Sequence, residues 1–409
     1  MRKLDELIAK FCPNGVEWKS LEEVFDIKNG YTPSKAEPSF WKGGTLPWFR
    51  MEDIRDNGRV LSDSIQHITR KAVKGNLFPA YSIILATSAT IGEHALLTVD
   101  ALANQRFTFL TRKNKYIETL NMKYFFYYCF IIDEWCKNNT TLGNFLSVDM
   151  AKLKKLTFPI PPLPIQEEIV LILDNFTELT TKLTAKLITE LTARKEQYEY
   201  YREYLITNSD CKVEKMGNIA DIYLGLTYTP TYVERGVKFI SAQNTSSDYL
   251  NLSNVKYISE DEYNKSTSNA KPKRGDILFT RVGSNLGHPV IVDTDEKICI
   301  FVSLGYLRIK DERVKNTYIK HWMNTDLFWA QVRKNVHGAA KVNLNTGWLK
   351  KFEVLIPSLK TQTQIVTILD RFENLYNDIL EKLSAEIEAR QKQYEYYRDK
   401  LLTFKECEK

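Results

Sequence analysis

Two stretches of the chain carry apolar residues at helical spacing over a great length. In the first they fall at Ile169, Ile172, Phe176, Leu179, Leu183, Leu187, Leu191 and Tyr198, in steps of 3, 4, 3, 4, 4, 4 and 7. No proline or glycine interrupts the chain from Ile165 to Asn208. The spacing predicts one amphipathic helix with a coiled-coil seam, and the consecutive steps of 4 lengthen the period and relax the left-handed supercoil there. Roughly 40 residues at 1.5 Å each span about 60 Å, too long to be buried in one small domain. Such a helix is a spacer or a docking rod. The second stretch repeats the first at Ile365, Ile368, Phe372, Leu375, Ile379, Leu383, Ile387 and Tyr394.

The two rods belong to a duplication. Gln197-Tyr198-Glu199-Tyr200-Tyr201-Arg202 returns 196 residues later as Gln393-Tyr394-Glu395-Tyr396-Tyr397-Arg398. Ile172-Leu173-Asp174 matches Ile368-Leu369-Asp370 at the same offset. Ahead of each rod lies a region of short apolar segments broken by Gly and Asn turns, which reads as mixed α/β. Tyr81 to Ala86 and Phe107 to Leu110 have strand character, and Asp276 to Thr280 is the counterpart of the former. An aromatic-rich helix is predicted over Tyr116 to Lys137, with a match around Thr317 to Val336. Prolines at 159, 161, 162 and 164 end regular structure before the first rod.

The predicted organisation is an N-terminal segment over 1–15, globular domains over 16–160 and 211–356, and helices over 161–210 and 357–409. The rods match closely, whereas the globular parts share only scattered strand and turn positions. Two similar rods can pair with each other, and two unlike globular domains can each recognise something different. Antiparallel pairing would put the domains at opposite ends, related by a pseudo-twofold axis. Residues 1–15, with Leu4, Leu7 and Ile8, take the place that 199–212 hold before the second domain, so they could complete the end of the second rod and close a circular arrangement.

Composition narrows the class only modestly. Of 409 residues, 43% are hydrophobic and 26% charged, as in an ordinary globular chain. A net charge of +6 is compatible with a polyanionic partner without demonstrating one. The six cysteines form no Cys-x-x-Cys pair, which argues against a disulfide framework or zinc site and for a reducing compartment. With no signal peptide at Met1 to Leu7 and the longest apolar run, Tyr124 to Ile132, half a membrane span, the expected location is cytoplasmic, with no membrane partner.

No catalytic constellation stands out. Phosphate-cradling glycine loops are absent, the five histidines lack metal-ligand spacing, and no Asp with Glu-x-Lys nuclease centre can be singled out. We therefore expect no catalytic residue, no metal and no cofactor in this chain. Polar loops follow the apolar segments instead. In the first domain the candidates for DNA contact are Arg50, Thr87, Ser88, Thr90, Asn104, Gln105 and Arg106; in the second they are Gln243, Asn244, Arg281, Ser284, Asn285, His288 and Lys341. Arg forks onto guanine, Asn and Gln pair with adenine, and Ser, Thr and Lys suit phosphates. The same composition also suits turns and strand caps.

Three passages carry a family resemblance: Cys12-Pro13-Asn14-Gly15-Val16-Glu17-Trp18; Ile160-Pro161-Pro162-Leu163-Pro164 with Gln166, Ile169 and Val170; and Ile356-Pro357-Ser358-Leu359 with Gln362, Ile365 and Val366. The layout resembles the specificity subunit of type I restriction–modification systems over the whole chain. The resemblance implies two mixed α/β target recognition domains, each reading half of an interrupted site in double-stranded DNA and held apart by two long antiparallel coiled-coil helices. It also implies a non-catalytic chain that docks two methyltransferase subunits and, with them, restriction subunits. S-adenosylmethionine, ATP and magnesium would belong to those partners, which make the complex a DNA adenine methyltransferase and ATP-driven endonuclease. On this reading the duplicated hexapeptide, through Tyr198, Tyr201, Arg202, Tyr394, Tyr397 and Arg398, is a docking surface presented twice; packing at the helix end is the competing role. The other reading of the whole chain is a coiled-coil scaffold whose globular ends bind protein.

Overall fold

The computed structural model describes residues 2–141, 146–266, 268–283, 285–335 and 343–407. The chain forms two compact units, Met1–Ala185 with Ala385–Lys409 and Lys186–Ser384. Each unit therefore holds one globular domain, the first part of the long helix that follows it, and the last part of the other long helix. The long helices run over Leu163–Thr207 and Leu359–Leu401. Among the described residues, no helix is long and apolar enough to cross a membrane.

In unit 1 a five-stranded sheet orders Phe25–Asn29, Phe107–Arg112, Ile83–Ala86, His94–Leu97 and Val60–Leu61. A three-stranded sheet of His67–Ile68, Leu46–Phe49 and Leu102–Ala103 accompanies it. Ile83 to Ala86 are apolar on both faces and fully buried, which is why this strand sits inside the sheet. The helix Met122–Asn138 covers the core, begun by Asn121, whose side chain accepts from the backbone of Lys123 and Tyr124. Phe125 lies 4.3 Å from Phe25 and 4.9 Å from Phe158, ring centre to ring centre.

Unit 2 repeats this plan. One sheet orders Ala220–Leu224, Leu304–Ile309, Ile277–Thr280 and Pro289–Ile291; another orders Tyr232–Val233, Lys256–Ile258, Val237–Ile240 and Ile298–Ile300. The single helix predicted around 317–336 is two, Asn316–Met323 and Asp326–Asn335. Thr325 causes the break: its hydroxyl donates back to Trp322 O at 2.6 Å and accepts from Phe328 N at 3.4 Å, restarting the helix.

Each long helix is anchored by one buried glutamine behind a proline. Gln166 donates to Pro161 O (2.6 Å) and Thr119 O (2.8 Å) and accepts from Asn121 N (2.8 Å). Gln362 does the same with Pro357 O, Arg313 O and Lys315 N at 2.8, 2.8 and 2.9 Å. Helix start, preceding strand and domain helix are thus tied by one amide whose polar atoms are all used.

The buried face of the helices overlaps the predicted seam only in part. Ile165, Ile169 and Leu173 are fully buried in the first, and Ile365 and Leu369 in the second, a spacing of four that lays one face on the globular core. Of the predicted seam, Ile169, Ile365 and Leu383 are buried, whereas Phe176, Leu179, Leu183, Ile368 and Leu375 are exposed, Leu179 to 65%. At the helix starts the seam residues Ile169 and Ile365 are thus buried together with Ile165, Leu173 and Leu369 on the globular core.

Within unit 1 the two helix segments run antiparallel: Phe176 stacks on Tyr397 at 6.1 Å and Thr177 donates to the Tyr394 hydroxyl at 3.5 Å. Within unit 2 Tyr201 stacks on Phe372 at 5.7 Å. These are the same contact, displaced by the repeat. The chain ends also meet in unit 1, where Val16 N donates to Lys405 O (2.9 Å) and Cys407 N to Val16 O (3.0 Å). Leu4 shares a core with Leu401 and Leu402, so residues 2–16 pack against the end of the second helix.

Candidate nucleic-acid interface

In both units the strand ends converge on one polar rim, and backbone hydrogen bonds show that the two rims share a scaffold. Gly30 N donates to Phe107 O and Tyr31 N to Ala103 O, each at 2.9 Å; Gly225 N donates to Leu304 O (3.2 Å) and Leu226 N to Ile300 O (2.8 Å). A Cβ at Gly30 would strike Ala103 O and one at Gly225 would strike Phe301 O, so both positions need glycine for close approach. Asn104 N donates to Phe49 O and Phe301 N to Ile240 O; Thr87 N donates to Arg106 O and Arg281 N to Ser303 O. At the third strand end, Arg50 N donates to the Asp53 carboxylate (2.6 Å) and Ser241 N to the Asn244 side chain (3.0 Å). This correspondence pairs Arg50 with Ser241, Glu52 with Gln243, Thr87 with Arg281, Asn104 with Phe301 and Arg106 with Ser303.

The predicted contact residues of unit 1 lie together on this rim, but not all keep free chemistry. Arg106 is exposed, and exposed Gln105 accepts from the Thr32 hydroxyl. Asn104 uses its side-chain oxygen on Arg106 N at 2.9 Å, leaving its NH2 group. Arg50 lies over the Trp48 ring at 5.9 Å, half-buried. Ser88 and Thr90 are partly exposed, on either side of Ala89, whose φ of 65° marks a tight loop. Thr87 is buried and hydrogen-bonded to Thr108 (2.8 Å), so its hydroxyl holds the loop rather than facing outward.

In unit 2 two predicted readers turn out to be braces. Asn244 is buried, accepting from Ser241 and donating to Asn251 O (3.3 Å) and Asn254 O (3.0 Å). Arg281 donates to Leu344 O (3.4 Å) and Val302 O (3.1 Å), and burial pushes its guanidinium below the ordinary value. The reason is common to both: a loop with no ladder partner must satisfy its carbonyls with side chains. His288 approaches Ser247 O at 3.1 Å and Asp248 at 3.6 Å, and Asn285 donates to Ser246 O at 3.4 Å, so both pin neighbouring loops. Gln243 is exposed. Ser284 and Lys341 lie outside the described residues.

Residues that the sequence did not single out complete the second rim. Ser303 stands where Arg106 stands in unit 1, and Asn254, Lys256 and Tyr232 line a cleft beside Gln243. Only alignment through the backbone ladder finds Ser303, because Ile300-Phe301-Val302-Ser303 has none of the amides of Ala103-Asn104-Gln105-Arg106.

The hexapeptide residues are mostly engaged inside their own units. Arg398 is buried over Phe130 at 4.6 Å and pairs with Asp399; Tyr394 and Tyr397 pack on the first helix. Tyr198 sits 3.5 Å from His321 Nδ1 with Arg202 over its ring at 5.1 Å, and burial raises its hydroxyl well above the usual tyrosine range. Helix-end packing is thus what these side chains do, and Tyr201, though stacked, stays partly exposed. The duplicated tyrosines exposed most in both copies are Tyr200 and Tyr396, at 63% and 62%. His321, Asp370 and Glu373 bring ligand-type atoms within 4.8 Å of one another, but Lys320 already sits on Glu373 at 2.8 Å and Asp370 on His321 at 2.8 Å.

Comparison with known proteins agrees with this duplicated architecture. Residues 13–193 and 208–389 match the family of the type I restriction modification DNA specificity domain. The chain is 38% identical over 385 residues to the type I restriction enzyme EcoprrI specificity subunit of Escherichia coli, covering 90% of each. It is 30% identical over 414 residues to a putative type I restriction enzyme specificity subunit of Haemophilus influenzae, covering 95% of this chain and 96% of that one. Among solved structures, the fold matches a chain from a study of type I restriction–modification complex assembly with a TM-score of 0.74 at 14% identity, covering 96% and 98%. It matches the HsdS subunit of Thermoanaerobacter tengcongensis with a TM-score of 0.57 at 14% identity, covering 96% and 97%. With two copies of the specificity domain, each built on the same rim scaffold, the chain belongs to the family of type I restriction–modification specificity subunits.

Proposed function

We propose that each unit reads one half of a bipartite site in double-stranded DNA, and that the long helices set the spacer and carry two methyltransferase subunits, with restriction subunits joining that assembly. One observation supports this above the others: the rims share a backbone scaffold while their side chains differ in charge and hydrogen-bonding type. Arg106 and Gln105 suit guanine and adenine edges, whereas Ser303 and Gln243 offer a different pattern. Such a pair reads two unlike half-sites, and an asymmetric site follows. Catalysis, with S-adenosylmethionine, ATP and magnesium, is assigned to the partner subunits. The outward Tyr200 and Tyr396, one per repeat, are the better candidates for methyltransferase docking, because Tyr198, Tyr394 and Arg398 are occupied within their units.

The test is an exchange of residues 16–160 for the first domain of another family member, followed by mapping of methylated sites in DNA. One half of the modified sequence should change and the other should persist. A change in both halves, or in neither, would overturn the two-reader assignment.

A further inference from the structure

The two rims differ most where unit 1 has two arginines. Arg50 and Arg106 correspond to Ser241 and Ser303, and the space left by the shorter side chains is a cleft of about 500 Å³ in unit 2. Its walls include Tyr232 and Phe301, and its polar lining includes Gln243, Asn254, Lys256 and Ser303. Arg281 commits two of its N–H groups to Leu344 O and Val302 O, whereas the ammonium of Lys256 is committed to no hydrogen-bond acceptor among the described residues. Its ammonium is held over the Tyr232 ring, 4.3 Å from the centroid, rather than on a carboxylate of the described residues. A cation resting on a ring keeps its N–H donors available, at an attraction of about 0.5–1 kcal/mol in an exposed setting. The amides of Gln243 and Asn254 are both exposed and donate to no described residue, although the Asn254 carbonyl is used by Asn244. The cleft therefore gathers one available ammonium, two available amides and aromatic walls in a place that a brace network holds rigid through Asn244.

We infer that this cleft is the strand-gripping subsite of unit 2: Lys256 binds a backbone phosphate of duplex DNA, and Gln243 reads the edge of the adjacent base, with the Tyr232 ring fixing the ammonium. The inference rests on the two-reader function proposed above and adds a division of labour that the sequence did not contain. Unit 1 positions DNA with arginines on the rim itself. Unit 2 does so with a lysine from the neighbouring strand, because its rim positions are serines.

The assay uses the complex of the full chain with its methyltransferase subunits, an oligonucleotide duplex carrying the mapped site, and a range of salt concentrations. Losing one phosphate contact lowers the slope of log affinity against log salt by about 0.9. Lys256→Gln should show that loss, weaken binding to matched and mismatched duplexes alike, and leave the methylated sequence unchanged; Lys256→Arg should restore the slope. Gln243→Ala should relax one base pair of the half-site assigned to unit 2, with discrimination falling on the order of tenfold, and leave the other half-site intact. An unchanged salt slope in Lys256→Gln together with an unchanged sequence in Gln243→Ala would overturn the cleft assignment. If exchange of residues 16–160 still switches one half-site under those conditions, the two-reader function stands without the cleft. If it does not, both fail together.

Discussion

The joint between domain and long helix is made twice, with different chemistry on the domain side. In unit 1 Asp174 accepts from the Tyr127 hydroxyl and from Lys123, both at 2.6 Å. In unit 2 its repeat partner Asp370 takes the imidazole of His321 at 2.8 Å. Tyr127 and His321 occupy the same place, six residues beyond the backbone N–H groups of Asn121 and Lys315 that Gln166 and Gln362 capture. The helix side of the joint (Gln, Asp, Phe and the hexapeptide tyrosines) is constant, while the domain side varies. A carboxylate accepts from a phenol or an imidazole N–H with similar geometry, so the domain can diverge without losing its mount. In both units the long helix carries the same half of the interaction, and the domain supplies a different donor to it.

The comparison breaks first, if it breaks, at the buried glutamines. Gln166→Leu or Gln362→Leu leaves one backbone N–H and two carbonyls without their partner, and each should destabilise its own unit by about 3–5 kcal/mol. Urea unfolding followed by hydrogen exchange would measure it, and a large loss in only one unit would show that the two mounts are not equivalent. A smaller effect sharpens the interchangeable side. Tyr127→Phe removes a hydrogen bond to a charged acceptor and should cost about 1.5–3 kcal/mol, whereas in unit 2 His321→Tyr, which copies the unit 1 donor, should cost less than His321→Phe, which leaves Asp370 without one. The reverse order, read from the exchange protection of each unit, would mean that surroundings rather than the shared aspartate decide the fit. The smallest effect concerns the stacked rings. Double-mutant cycles on Phe176 with Tyr397 and on Phe372 with Tyr201 should each return about 0.5–1.5 kcal/mol of coupling, and unequal values would rank the two mounts.

Much of this was legible from residue order. The repeat, the long helices and the proline–glutamine lead-in follow from local periodicity and from identity at one offset, since helix formation depends on residues three and four apart. The polar rim of unit 1 was also found, because Asn104, Gln105 and Arg106 stand together in the chain. Other features were hidden for a stated cause. Thr87, Asn244 and Arg281 have the residue types of DNA contacts, but Thr87 bonds the Thr108 hydroxyl while Asn244 and Arg281 donate to loop carbonyls, and which group lies within reach is a property of the folded loop. The seam has the right period, yet Leu179 and Leu183 are exposed while Ile169, with Ile165 and Leu173, is buried where a globular core is present to cover that face.

Residue order alone thus determined that the chain is two copies of a domain followed by a rod, and that the rods are what the two copies share most closely. Tertiary structure decided which copies of a polar residue remain available. It paired Arg106 with Ser303 through two backbone ladders, set Lys256 over the Tyr232 ring, and turned Tyr200 and Tyr396 outward while Tyr198 and Tyr394 turned in. Periodicity is written in neighbours along the chain, but the satisfaction of a hydrogen bond depends on groups brought together from distant positions, so only the fold could settle it.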